Sequence, residues 1–381
     1  MEIYLDNSAT TPMSANALKA MTDTAQNVYG NPSSLHKPGI RAERVLDASR
    51  AAAARLIGAS ESSVDKEIIF TSGGTEANNL AVFGAAHARR RRGNKIVTTM
   101  IEHSSVLESC KALENEGFTV VYLKPDSEGH ILKRDLVSAI DENTILVTMM
   151  YVNNELGTIL PVDYVKSVIK AKNSPALFHI DAVQALGKLP IKVQQLGCDL
   201  MSVSAHKIHG PKGCGALYVK KGTHIVPLLY GGEQEKKIRP GTEALPLIAA
   251  FAAAAGECGD IQNKAAKAES LRRALLTNLS DTDGIIVNSP EDGLAYIVNI
   301  STSYFRSETM IHYLESEGIY VSSGSACAKG RKSHVLSAAG LSDRRIDTAL
   351  RISFSHTNTL EEAAAFAEAL KRGMSTLVRA Y

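Results

Sequence analysis

Asp199-Leu-Met-Ser-Val-Ser-Ala-His-Lys207 is the stretch of sequence that decides the fold, and a loop rich in glycine and proline, Ile208-His-Gly-Pro-Lys-Gly213, follows it. Its apolar residues are typical of a buried strand, and the strand ends in a serine, a histidine and a lysine. A desolvated ammonium is costly unless it is paired or loses its proton. The stretch therefore predicts either a lysine that leaves the sheet for water, or an amine that forms a Schiff base with a carbonyl compound.

Outward from this stretch, strand-like runs alternate with helical patterns. The predicted strands are Glu67–Ser72, Lys95–Met100, Thr119–Leu123, Thr144–Val152, Ala176–Asp181, Asp199–Ala205 and Gly215–Val219. This alternation predicts an α/β sandwich with a mostly parallel sheet, which binds ligands at the carboxyl ends of its strands.

The pattern changes after Gly256, where a long charged helix (Asp260–Leu279) precedes fewer strands. Those strands are predicted at Ile285–Asn288, Tyr296–Ser301, Tyr320–Ser322 and Leu350–Phe354, and a final helix begins near Thr359. We expect a large domain at residues 14–256 and a smaller α+β domain built from residues 1–13 and 257–381.

Composition places the chain among ordinary globular proteins. Of its 381 residues 44% are hydrophobic and 22% charged, and the net charge of +2 favours neither a nucleic-acid nor a membrane partner. No signal-peptide pattern opens the sequence, and the longest apolar run, Ala244–Ala255, is too short to span a bilayer. The five cysteines form no C-x-x-C pair. We therefore expect a cytoplasmic protein with free thiols and no metal site.

Two strand ends carry residues suited to binding an anionic, aromatic cofactor. Gly73-Gly74-Thr75 joins a strand to a helix, where free N–H groups and a hydroxyl can bind a phosphate, although Thr75 would equally serve as a helix cap. Asp181 ends an apolar strand, and Gln184 follows it. A buried aspartate needs a partner, which is either a pyridinium nitrogen or the backbone of a strand–helix junction.

His103, Asn154 and Arg351 are further candidates. His103 and Asn154 lie just beyond strand ends, where an imidazole can stack on a ring or move protons and an amide can bind a ring substituent, or where both merely cap. Arg351 lies inside an apolar strand and must pair, either with a substrate carboxylate or with an internal acidic residue.

One cysteine lies in a loop of small residues, Ser322-Ser-Gly-Ser-Ala-Cys327-Ala-Lys-Gly-Arg-Lys332. Lys329, Arg331 and Lys332 favour its thiolate, which is a nucleophile. A free cysteine is often a small buried hydrophobic residue, but a loop of Gly, Ser and Lys is a poor place for one. We therefore interpret Cys327 as reactive.

Together these motifs resemble the bacterial NifS/IscS-type cysteine desulfurases, which are class V members of the fold-type I pyridoxal-phosphate (PLP) enzymes. The resemblance covers nearly the whole chain, and each motif alone is weak. The matching motifs are Tyr4-Leu-Asp-Asn-Ser-Ala-Thr-Thr-Pro12, Thr71-Ser-Gly-Gly-Thr-Glu76, Glu102-His103, Val152-Asn-Asn-Glu155, His179–Gln184, Ser204-Ala-His-Lys207, Arg239-Pro-Gly-Thr242 and Ser322–Cys327. The resemblance implies a large α/β domain with a mostly parallel seven-stranded sheet and a smaller α+β domain.

The resemblance also implies the role of each site residue. Lys207 would hold pyridoxal 5'-phosphate as a Schiff base, Asp181 would pair with the ring nitrogen, Gln184 would bond the ring hydroxyl, and His103 would stack on the ring. The implied phosphate contacts are Gly74, Thr75, Ser204, His206 and, from the other subunit of a homodimer, Thr242.

The implied reaction converts L-cysteine to L-alanine. Asn154 and Arg351 would orient the substrate, with Asn154 also at the cofactor, and Cys327 would take the sulfur as a persulfide. The implied acceptor is an iron–sulfur scaffold protein or a tRNA-thiolation enzyme, and no membrane or direct nucleic-acid partner is expected. Two departures bear on the acceptor: the segment after Cys327 is a couple of residues shorter than in housekeeping members, and no C-terminal extension follows Tyr381.

Two other functions are consistent with parts of the pattern. One is a PLP-dependent selenocysteine or cysteine lyase, or an aminotransferase, that forms no persulfide; the loop cysteine argues against it. The other is a non-catalytic sulfur carrier that keeps the fold, and Lys207 with Asp181 argues against that.

Overall fold

The structure, a computed structural model, describes residues 2–60, 67–324 and 332–381. Its strands are β1 (Ile3–Tyr4), β2 (Ile68–Thr71), β3 (Lys95–Thr99), β4 (Thr119–Leu123), β5 (Thr144–Met150), β6 (Leu177–Asp181), β7 (Leu200–Ser204), β8 (Gly215–Val219), β9 (Ile286–Val287), β10 (Ile297–Ser301), β11 (Ile319–Tyr320) and β12 (Ala349–Ser353).

The helices alternate with these strands in the first two thirds of the chain. They are α1 (Ala15–Asn27), α2 (Lys37–Leu56), α3 (Gly74–Arg89), α4 (Ser104–Asn115), α5 (Lys133–Ala139), α6 (Val162–Ala171), α7 (Val193–Leu196), α8 (Leu245–Glu257), α9 (Ile261–Leu279), α10 (Ser307–Ser316), α11 (His334–Ala338), α12 (Asp343–Asp347) and α13 (Leu360–Thr376). No helix in the described ranges is both long enough and apolar enough to cross a membrane.

Seven strands form the central sheet in the order β2-β8-β7-β6-β5-β3-β4. Strand β8 runs antiparallel to both of its neighbours, and all other neighbouring pairs are parallel. The prediction of a mostly parallel seven-stranded sheet is confirmed. Because successive side chains of a strand point to opposite faces, Ile96 and Val97 enter different apolar clusters, as do Leu177 and Phe178. Helices therefore cover both faces of the sheet.

The rest of the structure packs around a third apolar cluster, which joins the N-terminus to the C-terminal third. Its core includes Leu5, Leu271, Val298, Leu350 and Phe366, all almost inaccessible to solvent. Strands β12, β10 and β9 form an antiparallel sheet there, and β1 pairs in parallel with β11. The predicted α+β arrangement after Gly256 is confirmed, and the domain boundaries themselves stay a prediction.

The observed elements differ from the predicted ones mainly at their ends. The strand predicted to reach Val152 ends at Met150, which is the last residue paired with the neighbouring strand, at Asp181. The predicted charged helix begins at Ile261, since Asp260 is its N-cap. Thr359 likewise forms a capping box at the start of the last helix. The two helix starts are set by capping residues and the strand end by a turn, and hydrophobic periodicity indicates neither.

Candidate active site

A cavity of about 260 Å³, the strand-end cavity, lies at the carboxyl ends of β5, β6 and β7. Ten of the predicted site residues line it: Gly74, Thr75, His103, Asn154, Asp181, Gln184, Ser204, His206, Lys207 and Arg351. The rest of its lining comes from Ser8, Ala9, Asn78, Ser105, Met150, Val152 and Val183. Parallel strands bring their carboxyl ends to one edge of a sheet, which is why residues distant in sequence meet here.

Lys207 ends a short 3₁₀ turn, Ala205–Lys207, that directly follows β7. Its Nζ donates to the backbone carbonyl of Ala9 at 2.9 Å and also to that of Ser8. The side chain is half-buried, so it does not run out into water. The N-terminal segment thus holds the amine at the wall of the strand-end cavity.

Asp181 is the last residue of β6 and is buried. Its Oδ2 accepts a hydrogen bond from the Nδ2 of Asn78 at 2.7 Å, and its Oδ1 accepts one from the backbone N–H of Val183 at 3.0 Å. One oxygen thus serves the local turn, as the capping interpretation predicts, and the donors to both oxygens among the described residues are neutral. The carboxylate keeps its negative charge available to a cation in the cavity.

His103 is the N-cap of α4, where its Nδ1 accepts a hydrogen bond from the backbone N–H of Ser105 at 3.1 Å. Burial lowers the pKa of His103 below its usual value; the negative Asp181 opposes this effect, while Lys207 and His334 reinforce it. The imidazole is therefore neutral at neutral pH. Because Nδ1 is an acceptor, the remaining proton is on Nε2.

The part of the cavity formed by Gly74 and Ser204 is suited to an anion. Helix α3 begins at Gly74 with no side-chain cap, which contradicts the interpretation of Thr75 as the helix cap and leaves N–H groups of the first turn available. A Cβ added at Gly74 would lie 2.8 Å from the Cγ2 of Val183, so a larger residue here would force the Val183 side chain to shift. The buried hydroxyl of Ser204 has no hydrogen-bond partner within the described residues.

His206 also lines the strand-end cavity and directly precedes Lys207 in the sequence. Its Nδ1 lies 3.2 Å from the Oγ1 of Thr10. Burial, reinforced by the positive charges of Lys207, Lys212 and Lys188, lowers the pKa of His206 to about 4. The ring is neutral at neutral pH and offers one N–H donor.

Arg351 is a fully buried arginine on β12, with 1% of its surface exposed. Its Nη1 donates to the backbone carbonyl of Asn154 at 2.9 Å, and its Nη2 donates to the Oδ1 of Asp6 at 2.8 Å. Its Nε has no hydrogen-bond partner in the part of the chain that the structure describes. The internal acidic partner left open by the sequence is therefore present, and the contacts within the described residues use two of the five N–H groups of the guanidinium.

Two predicted residues are not found in the cavity lining. Thr242 is exposed and does not contribute to it. Cys327 lies outside the described residues. The described residues on either side of its segment lie beside the site: Ser333 donates its hydroxyl to the Oε2 of Glu155 at 2.5 Å, and a Cβ added at Gly324 would lie 2.8 Å from that same oxygen.

The other cysteines lack reactive character. Cys110, Cys198 and Cys214 are buried, and desolvation raises the pKa of each thiol to about 12. Cys258 is also buried, with its pKa raised to about 11 for the same reason. Thiolate is the nucleophilic form, so these residues are inert at neutral pH.

Sequence reasoning missed Asn78 and the backbone carbonyls of Ser8 and Ala9. Asn78 lies four residues after Gly74, one turn along α3, and this spacing is a usable signal because such residues share a helix face. The two carbonyls carry no side-chain signal. Only the packing of the N-terminal segment against Lys207 reveals them.

The comparisons with known proteins agree with this geometry. The family model described as Aminotransferase class-V matches residues 3–366. The chain is 41% identical over 364 residues to the cysteine desulfurase IscS of Methanosarcina thermophila, an alignment that covers 94% of this chain and 89% of that protein.

Solved structures extend the agreement to the fold. That of a NifS-like protein matches with a TM-score of 0.93 and 38% identity, covering 99% of this chain and 100% of that one. A structure of SspA in complex with cysteine matches with a TM-score of 0.82 and 33% identity, covering 94% of this chain and 100% of the other.

The chain therefore belongs to the class-V aminotransferase family. Its relatives within that family carry the names of IscS and NifS cysteine desulfurases, which confirms the resemblance identified from the motifs.

Proposed function

We propose that this chain is a cysteine desulfurase that uses pyridoxal 5'-phosphate to convert L-cysteine into L-alanine and a protein-bound sulfur. The observation that carries the proposal is the placement of Lys207 and Asp181 at the ends of neighbouring strands, facing one cavity that also contains Arg351. An amine, a carboxylate and a guanidinium are the groups that an aldehyde, a pyridine nitrogen and an amino-acid carboxylate respectively require.

The cavity residues fit this cofactor. Lys207 supplies the amine for the aldehyde, and Asp181 supplies a charge for the ring nitrogen. The uncapped start of α3 and the partnerless hydroxyl of Ser204 fit a phosphate. When bound, pyridoxal 5'-phosphate withdraws electrons from the attached substrate carbon and so supplies an electron sink.

Asp181 and Lys207 control protons in this arrangement. The charge of Asp181 favours a proton on the ring nitrogen, and the hydrogen bond from Asn78 fixes the carboxylate in place. With the cofactor bound, Lys207 would hold it through its amine, and the same amine, once released, could take a proton from the substrate Cα. His103 presents a neutral, flat ring to the cavity, with its proton on Nε2.

Arg351 orients the substrate through its carboxylate. The guanidinium is held on one side by the carbonyl of Asn154 and on another by Asp6, which fixes its plane. A planar fork held in this way binds a carboxylate with both charge and direction. This contact selects an α-amino acid as the substrate class.

Cys327 receives the sulfur. Its thiolate attacks the substrate sulfur; an S–S bond forms and the C–S bond of cysteine breaks, with the electron pair remaining on carbon. That carbon takes a proton and leaves as alanine, so Cys327 and L-cysteine become a Cys327 persulfide and L-alanine without any external oxidant. The position of Gly324 and Ser333 beside Glu155 supports a cysteine that reaches this cavity.

A homodimer would complete the phosphate site through Thr242 of the other subunit. The exposed apolar side chains Leu228, Leu229 and Tyr230 supply surface suited to a second copy of the chain. The persulfide would pass to an acceptor protein, either an iron–sulfur scaffold or a tRNA-thiolation enzyme.

The proposal is tested by measuring the alanine and sulfide that the purified, PLP-loaded protein forms from L-cysteine in the presence of a thiol reductant. We expect both products in equal amounts. Lys207→Ala should abolish turnover, and Lys212→Ala, which alters an exposed lysine nearby, should not. Sulfide with pyruvate in place of alanine, or turnover retained by Lys207→Ala, would reject a desulfurase.

A further inference from the structure

Lys188 is a buried lysine beside the strand-end cavity that the mechanism above does not use. Only 7% of its surface is exposed, and no carboxylate lies within ion-pair distance of it among the described residues. Its Nζ donates one hydrogen bond, to the Oε1 of Gln184 at 3.2 Å, and lies 6.0 Å from the centroid of the Tyr296 ring. A buried ammonium with one neutral acceptor is costly, which calls for a functional reason.

Gln184 connects this lysine to the site. Its Nε2 donates to the backbone carbonyl of Ser8 at 3.0 Å, and the same carbonyl accepts a hydrogen bond from Lys207. An ammonium only donates, so Lys188 requires the amide oxygen to face it. The amide nitrogen must then face Ser8 and the strand-end cavity.

We propose that Lys188 is a positioning residue of the active site, which orients the Gln184 amide so that its N–H groups face the cavity next to Lys207. The inference rests on the proposed function, because it assigns Gln184 the task of donating to the bound cofactor. Lys188 itself touches neither substrate nor cofactor, since it does not line that cavity.

The charge of Lys188 responds to pH near neutrality. The pKa of Lys188 is lowered to about 7, mainly by burial. The positive charges of Lys207 and Arg351 lower this pKa further, and Cys258 opposes the shift. Above that pH the neutral amine also accepts hydrogen bonds, so it no longer dictates the orientation of Gln184.

Lys188 shares a small second cavity of about 40 Å³ with other titratable groups, which include Lys207, His209, Glu257, Cys258, Lys264 and His356. Burial is the main cause that lowers the pKa of His209, and the pKa of His356 falls to about 4. Glu257 accepts a hydrogen bond from the side chain of Asn16. Neither histidine therefore accounts for a transition near pH 7.

Lys188→Met tests the proposal, because methionine has nearly the same shape and carries no charge. We expect kcat/KM to fall by about tenfold below pH 7, the loss expected for one hydrogen bond from a charged group. We expect the wild type to show a transition near pH 7 in the absorbance of the bound cofactor and in kcat/KM, and Lys188→Met to lack it. Lys192→Met, at an exposed lysine four residues along, should leave both unchanged.

Two further measurements separate positioning from a structural role. If Lys188 acts through Gln184, then Lys188→Met should cost nothing more in a Gln184→Ala background. Glu102→Gln removes another buried acidic group, whose pKa is raised by burial to about 8, and the transition near pH 7 should persist in this variant.

Thermal unfolding of the cofactor-free protein supplies a readout that does not depend on turnover. The pKa of Lys188 is lower in the folded than in the unfolded state, so its burial destabilises the fold fully below pH 7 and less as the pH rises. Lys188→Met should therefore melt above the wild type at pH 6, with the difference shrinking toward pH 9.

The possible results separate the two levels of the argument. Suppose that the wild-type protein makes alanine. If Lys188→Met then keeps the wild-type pH profile, or loses activity additively with Gln184→Ala, the role of Lys188 is overturned and the proposed function is not. A wild-type protein that makes no alanine would overturn the proposed function, and this role with it.

Discussion

Replacing Arg351 with lysine should weaken the binding of L-cysteine while leaving the rest of the site in place. Within the described residues the guanidinium donates to the carbonyl of Asn154 and to Asp6, which occupies two of its five N–H groups and leaves donors for a ligand. A lysine presents a single ammonium, which cannot reproduce the planar fork. It would satisfy Asp6 first, because that carboxylate is a permanent neighbour.

The size of the effect follows from the one hydrogen bond that the substrate carboxylate would no longer receive. A hydrogen bond from a charged group contributes about 1.5–3 kcal/mol. Since about 1.4 kcal/mol is a factor of ten, KM for L-cysteine should rise by about 10- to 150-fold. The bond is made in the ground state as well as in the transition state, so kcat should change by much less than KM.

Steady-state alanine formation over a range of L-cysteine concentrations measures both constants. Arg272→Lys is a matched control, because Arg272 is also buried, donates to the carbonyls of Pro290 and Gly293, and does not line the cavity. We expect it to lower stability without raising KM. An unchanged KM in Arg351→Lys, or an equal rise in both variants, would refute the assignment of Arg351 to the substrate.

Asp181→Asn should keep the hydrogen bond from the backbone N–H of Val183 but lower kcat by several orders of magnitude, because a neutral amide cannot hold a proton on the ring nitrogen. Activity is measured at equal cofactor content. The control is Asp199→Asn, at a buried aspartate whose hydrogen bonds lie outside the cavity. Glu235→Gln should lower the free energy of unfolding by about 3–5 kcal/mol, because it breaks a buried two-point ion pair with Arg50 at 2.8 Å. Denaturant unfolding measures that loss, and Glu233→Gln, at an exposed ion pair, should cause no measurable change.

Residues at the ends of strands are the part of the site that the sequence predicts best. Asp181, Ser204 and Lys207 each follow an apolar run, and the parallel sheet brings such ends to one edge. The glycine turn before Thr75 is predictable in the same way, because two glycines between a strand pattern and a helix pattern indicate a turn. Strand periodicity and turn chemistry are local properties, so they can be read from the sequence.

Contacts made by the backbone cannot be predicted from the sequence in this way. Asn154 is predicted to act through its side-chain amide, yet its carbonyl is what holds Arg351. The carbonyls of Ser8 and Ala9 hold Lys207 although neither side chain signals it. Any residue type can present a carbonyl, so only the packed structure identifies which one does.

Buried charges show a second limit. Glu235 lies in a polar loop, and it is buried only because Arg50, far away in sequence, reaches it. Lys188 follows Gln184 at a spacing that allows contact, but its burial depends on the distant Tyr296 and Cys258. Sequence patterns report burial well for apolar residues and poorly for paired charges, since pairing is a tertiary property.

The transfer of sulfur from L-cysteine to Cys327 is tested most directly by peptide mass spectrometry of the wild-type protein after incubation with L-cysteine in the absence of reductant. We expect one added sulfur atom on Cys327 and an equal amount of alanine. Cys110, Cys198, Cys214 and Cys258 should carry none, because burial keeps their thiols protonated. Alanine formed while Cys327 stays unmodified, or sulfur found on one of the buried cysteines, would contradict the proposed transfer.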